Sequence, residues 1–285
     1  MTNMKLTFLG TAAANAYPEA FCSCANCQQA RKLGGVNLRK RSAALINDDL
    51  LIDLGPDIMT AAAMHNCPLT KVRYCLQTHA HADHLDTSHF LSRSPGYGVV
   101  GAPRLQFYAS AGTLRVAAQL LARDCEPHSF FDPEISARLN LEIHQIEALQ
   151  AITMGQYRVT AFAANHDSYV ESLLYAIESN GRVIFYGTDT DTLPEQTWQG
   201  FHQHKLRFDV VILDHTYGPD KSGDDHLTAE KFIEHIARMR EEKLLRENAR
   251  VLATHISHDA NPVHPELVEF AAKHGYEVAY DGMMV

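Results

Sequence analysis

Apolar and polar positions alternate with the two-residue period of a half-buried strand at Lys5–Leu9. The pattern returns in two short runs, Ala43–Asn47 and Leu50–Asp53, arranged as a hairpin around Asp48 and Asp49. Asp57–His65 has helical spacing, Val72–Gln77 and Arg104–Ala109 read as strands, and Thr113–Arg123 as a helix. From Leu139 to Tyr186 strands crowd together: Leu141–Gln145, Tyr157–Ala163, Ser172–Glu178 and Arg182–Tyr186. Asn180-Gly181 lies between the last two, a dipeptide suited to a tight hairpin turn. In the final third, strand Val210–Leu213 precedes an amphipathic helix from Thr228 to about Leu245, with Phe232, Ile233, Ile236 and Met239 on its apolar face. Strand Arg250–Ala253, helix Pro265–His274 and strand Glu277–Ala279 close the chain. Strand-rich halves, each accompanied by helices, suit an α/β protein of two packed sheets flanked by helices. No linker, repeat or low-complexity tract divides residues 1–285, so one domain is expected.

Composition narrows the classes. Hydrophobic and charged fractions of 46% and 21% are those of a globular protein, which excludes a disordered or fibrous chain. No apolar run approaches the roughly 20 residues of a membrane-spanning helix. Met1–Gly10 lacks the apolar block and cleavage site of a secretory signal, so a cytoplasmic protein with no membrane partner is expected. A net charge of −9 disfavours an extended nucleic-acid surface, which needs clustered Lys and Arg. It leaves room for a small phosphorylated substrate, because bound metal outweighs a distant net charge.

The chemistry is concentrated after Val72–Leu76, in Gln77-Thr78-His79-Ala80-His81-Ala82-Asp83-His84. Four metal-ligand side chains fall within six residues at a strand end, where alternating side chains converge on one point. Imidazole and carboxylate offer lone pairs at neutral pH without first losing a costly proton. An Asp at a helix start can be a simple cap, but capping explains none of the three histidines. His166, Asp189 and His255 each follow a later strand in the same manner.

This His-x-His-x-Asp-His pattern, with the later His, Asp and His in that order, resembles the metallo-β-lactamase superfamily over nearly the whole chain. The resemblance implies an αββα sandwich and a dinuclear hydrolase. His79, His81 and His166 would hold one divalent ion, Asp83, His84 and His255 the other, and Asp189 would bridge them. Asp83 would thereby count among the catalytic residues. Asp53 would support the metal loop without ligating. Manganese, zinc and iron all suit such ligands.

Cys22, Cys24 and Cys27 gather three thiols within residues 21–28, which suits a structural zinc. Cys75 reads as plain core, as do Cys67 and Cys125. The cysteine loop resembles that of the branch holding the phosphoribosyl cyclic-phosphate phosphodiesterases of the carbon–phosphorus lyase pathway. In that likeness His226 is the fourth zinc ligand and His215 the general acid, while His258 takes a supporting or surface place. The implied function is a phosphodiesterase for a small cyclic phosphate such as phosphoribosyl 1,2-cyclic phosphate, working through a water ionised between two metals, and a homodimer. Three other readings are a tRNA 3′-processing-type endoribonuclease, a thioester or lactone hydrolase, and a non-enzymatic, zinc-stabilised RNA-binding module.

Overall fold

The computed structural model describes residues 4–219 and 221–285. Residues 1–3, which open the Met1–Gly10 stretch, and Asp220 lie outside the described residues. Two sheets are laid down in chain order. The first holds β1 (Leu6–Gly10), β2 (Ala43–Ile46), β3 (Leu50–Ile52), β4 (Tyr74–Leu76), β5 (Leu105–Ala109) and β6 (Leu141–Gln145). The second holds β7 (Ala151–Met154), β8 (Tyr157–Ala163), β9 (Leu173–Ser179), β10 (Arg182–Gly187), β11 (Phe208–Asp214), β12 (Leu245–Thr254) and β13 (Glu277–Val278). Each sheet is mixed: β1–β3 and β7–β10 pair antiparallel, whereas β3–β6 and β10–β13 pair parallel.

The helices are α1 (Ala25–Leu33), α2 (Ile58–Met64), α3 (Ser88–Ser92), α4 (Ala111–Leu120), α5 (Ala122–Cys125), α6 (Pro133–Arg138), α7 (Glu195–Gln203), α8 (Ala229–Glu241) and α9 (His264–Lys273). Strand alternation decides which layer each side chain joins. Leu6, Phe8, Val210 and Ile212 point between the sheets and form one core with Ile52, Leu76, Ile184 and Tyr186. Their neighbours Val211 and Leu213 face outward, into a layer with Trp198, Phe201, Phe232 and Leu267 from α7, α8 and α9. On the other outer face, Leu51, Cys75 and Phe107 pack with Ile58, Leu114 and Ile135 from α2, α4 and α6. This is the expected αββα sandwich, with Cys75 and Cys125 buried in its core. Among the described residues no helix is long and apolar enough to cross a membrane.

The hairpin turn at Asn180-Gly181 has both residues at positive φ, 52° and 77°, as a tight turn matched to strand twist requires. The sequence pattern extends the last amphipathic helix too far. Thr228 caps α8 by accepting the Lys231 N–H, but the helix ends at Glu241. Lys243 turns left-handed at φ 56°, and the Leu244 N–H donates back to the Met239 carbonyl, a helix-stopping closure. The apolar period then continues through Leu244 and Leu245 into β12, which hides the change of element from a pattern reading.

Candidate metal centre

The chemistry-bearing side chains leave the C-terminal ends of β3, β4, β8, β10, β11 and β12 and meet along one edge of the sandwich. Three of them need unusual backbone to do so. Asp53, Asp189 and His255 have φ of 65°, 52° and 58°. Left-handed backbone costs a non-glycine residue about 1–3 kcal/mol, so the surrounding structure must hold these turns in place.

Two buried carboxylates fix the frame. Asp53 accepts from Gln77 Nε2, the Thr78 N–H and the Thr78 hydroxyl at 2.8–3.0 Å, and from His84 Nδ1 at 2.6 Å. Asp214 does the same work across the centre. It accepts the N–H groups of Asp189, Thr216 and Leu227, the Thr216 hydroxyl, and His226 Nδ1 at 3.0 Å. Each frame also reaches a second histidine through a threonine. His79 Nδ1 lies 3.0 Å from Thr78 Oγ1, and His255 Nδ1 lies 2.8 Å from Thr216 Oγ1. His166 Nδ1 donates to the Asp225 carbonyl at 3.0 Å.

These bonds set the tautomers. With Nδ1–H committed, His79, His84, His166 and His255 turn an Nε2 lone pair inward, the form a metal takes. His79 Nε2 and His166 Nε2 lie 2.9 and 3.2 Å from His81 Nδ1, forming one trio. His84 Nε2 lies 3.1 Å from Asp83 and 3.3 Å from His255 Nε2, forming another. Asp189 stands between them. Its Oδ1 is 3.8 Å from His166 Nε2, and its Oδ2 is 2.6 Å from His84 Nε2 and 3.2 Å from His255 Nε2.

Electron pairs so close together in a dry site repel unless positive charge lies among them. The electrostatics agree. Burial holds His79 well below its ordinary range, with the His84 charge adding to it, so its lone pair stays free. Burial opposes charge on His84, yet Asp189, Asp83 and Asp53 override it and raise that ring well above its ordinary value, so these carboxylates favour a cation at its Nε2, where a metal would take the place of the proton. Asp83 and Asp189 resist burial and are held far below the usual carboxylate range by His84 and His255. Asp189 Oδ2 is buried and faced by the ring nitrogens of His84 and His255. The donor set therefore fits two divalent cations.

A family model, the beta-lactamase superfamily domain, matches residues 49–256. The chain belongs to that superfamily. Solved structures of similar fold include a diphosphatase of the PhnP family, 22% identical with a TM-score of 0.74, covering 99% of this chain and 96% of that one. Zinc-bound PqqB from Methylobacterium extorquens is 19% identical with a TM-score of 0.74, covering 99% of both chains. The short form of human tRNase Z is 17% identical with a TM-score of 0.64, covering 99% and 98%. A comparison with curated proteins finds no match. At these identities the structural likenesses speak for the fold: two mixed sheets flanked by helices.

Within this beta-lactamase superfamily chain, three histidines sit elsewhere than the sequence suggests. His226 is not with the cysteines; it lines the cavity of about 460 Å³ that opens onto the centre, held by Asp214 and 3.7 Å from Asp189. His258 takes the place expected of His226. Its Nδ1 lies 3.7 Å from Cys24 Sγ, and Cys22, Cys24, Cys27 and His258 form a four-donor cluster suited to tetrahedral zinc. The reason is topological. Ile256, just past β12, bridges to Ala12, and Asn26 donates to the His258 carbonyl, so the turn after β12 lies against the cysteine segment. Cys24 also caps α1 through its sulfur, which accepts the Cys27 N–H. Burial works against its thiolate, but that N–H and His258 pull it down to about 6, whereas burial pushes Cys27 up to about 12.

His215 does not face the centre. It follows Asp214 at the end of β11, and alternation sends the two side chains opposite ways. The ring is fully buried, with Nδ1–H donated to Asn261 Oδ1 at 3.0 Å and Nε2 accepting from the Tyr276 hydroxyl at 2.9 Å. It touches no wall of the cavity, which removes it from the general-acid role. Burial lowers its pKa from 6.5 to about 4. An unfolded chain takes up this proton as pH falls through 6.5, while the folded protein waits until about 4. The stabilisation is therefore complete above 6.5 and is lost between 6.5 and 4, by up to about 3 kcal/mol. Urea unfolding at pH 7 and near pH 4.5 should show the stability gap between wild type and His215→Gln narrowing at the lower pH. Parallel pH curves would contradict it.

Asp214, Thr78 and Thr216 belong to the site without a motif that marks them. Asp214 shares the signal of Asp53 and Asp189, a carboxylate at the end of an apolar strand.

Proposed function

We propose that this protein is a dinuclear hydrolase of small phosphodiesters, cyclic or linear. The observation that carries this reading is the pair of donor trios joined by Asp189, opening onto a cavity with a further, half-buried histidine on its wall. Two divalent ions held there would supply Lewis acidity and lower the pKa of a water towards neutrality.

The chain's own residues do the rest. Asp189, His84 and His255 set the spacing of the two sites, and Asp53 and Asp214 keep the rings in register. His226 is assigned as the proton donor to the departing alkoxide. Its Nδ1–H is held by Asp214, so Nε2 is the nitrogen left for substrate. Asp214 accepts five hydrogen bonds from Asp189, Thr216, Leu227 and His226, which suits it to orienting these groups. Burial opposes charge on His226, but Asp214, with Asp189 and Asp225, pushes it up to about 9, so the ring carries a proton to give. Zinc at Cys22, Cys24, Cys27 and His258 would pin the turn that follows His255.

The test is an assay of metal-loaded protein on bis(4-nitrophenyl) phosphate, a phosphoribosyl 1,2-cyclic phosphate, a tRNA precursor and a thioester. Turnover of the small diesters above the rest is expected. Preference for the tRNA precursor or the thioester would transfer the site to those reactions.

A further inference from the structure

With divalent cations held at the centre, the cavity would carry opposite charge at its two ends. With cations bound, the inner end suits the single negative charge of a phosphodiester. The mouth is acidic: Asp167, Asp224, Asp225 and Asp259 line it, and Lys221 is the only Lys or Arg among the described lining residues. Even that cation is engaged. Its Nζ lies 2.8 Å from Asp259 Oδ2 and 5.1 Å from the centre of the Tyr217 ring. The Tyr217 hydroxyl donates to Asp225, which fixes the ring. Asp225 also places its carbonyl on His166, so this cradle is tied directly to the centre.

A carboxylate beside an aromatic face is the surrounding an ammonium group selects. Lys221 and Asp259 have side chains 44% and 49% exposed, so a surface lysine can leave this cradle at little cost. We propose that the mouth is a subsite for a positively charged substituent of the substrate, with the Lys221 ammonium seated where that substituent binds. The substrate class is then a phosphodiester with one ester group that carries an ammonium. Among the small diesters, one with an additional phosphate, as on a phosphorylated ribose, meets the acidic rim unfavourably and should turn over more slowly than one with an ammonium. The inference rests on the phosphodiesterase reading and narrows it.

Two isosteric probes isolate the charge: 4-nitrophenyl phosphocholine and 4-nitrophenyl 3,3-dimethylbutyl phosphate. They share a leaving group and differ in a quaternary nitrogen against a quaternary carbon. A cleft of one sign raises capture of the opposite charge by ten-fold or more, so kcat/KM should favour the cationic ester by roughly 10-fold at low salt. Lys221→Met should raise that ratio several-fold by vacating the cradle, and Asp259→Asn should reduce it towards one. Equal rates on the two esters in wild type, or a Lys221→Met variant that loses activity on both, would overturn the proposal and make Lys221 an anion-binding residue. Calorimetric binding of phosphocholine against 3,3-dimethylbutyl phosphate gives the same ratio without turnover. If neither ester is hydrolysed, the phosphodiesterase reading fails, while this binding ratio still decides the cation subsite.

Discussion

Replacing Asp189 with alanine should lower kcat/KM by about 100- to 1000-fold, the scale set by losing a pre-organised electrostatic group at a reacting centre. The same substitution should reduce bound active-site metal. Both effects have one cause. Asp189 sends one oxygen towards each trio, and it is the group shared by both. It reaches this position from a left-handed turn after β10, with its own N–H anchored on Asp214. Alanine removes the shared anion and leaves His84 and His255 without the carboxylate that faces them at 2.6 and 3.2 Å. Metal analysis by plasma mass spectrometry, alongside steady-state kinetics, reads both consequences. A variant with full metal content and near-normal turnover would show that Asp189 joins nothing.

The second large effect is at His226. His226→Ala should lower kcat by about 100- to 10,000-fold on a diester with an alkyl leaving group, as expected when a positioned acid is lost. The loss should be small on a 4-nitrophenyl ester, because nitrophenolate departs without a proton. This split separates a proton donor from a residue that merely shapes the cavity. The pH profile gives an independent sign: His226 acts protonated, so activity on the alkyl ester falls as pH rises through its pKa. That descending limb should vanish in the variant. Bound cations would bring the value down from about 9, since like charges disfavour each other. Metal content should be retained. Equal losses on both esters would remove the acid role.

The sequence pattern carried the architecture because both signals it relies on were strong. Strands buried on one or both faces read as short apolar runs, and the site lies where those runs end, so His79, His81, Asp83, His84, His166, Asp189 and His255 were all visible as polar residues at strand termini. The structure brings these seven together. What sequence did not convey is direction and register. Asp214 and His215 are adjacent, and only the facing of β11 decides that the carboxylate enters the site while the ring enters the core beside Asn261 and Tyr276. His226 and His258 were exchanged for a similar reason. Either can complete a three-cysteine loop on paper, but the bridge between Ala12 and Ile256 brings only the turn carrying His258 to the thiols. The helical period runs on to Leu245, past the left-handed Lys243, because lysine carries no local signal for such a turn.

Anomalous diffraction from crystals of the purified, metal-loaded protein tests the centre most directly. Two peaks about 3.5–4 Å apart are expected. One should lie among His79, His81 and His166, the other among Asp83, His84 and His255, with one Asp189 oxygen on each. A single ion, or none, with these seven side chains turned away from one another, would contradict a dinuclear hydrolase.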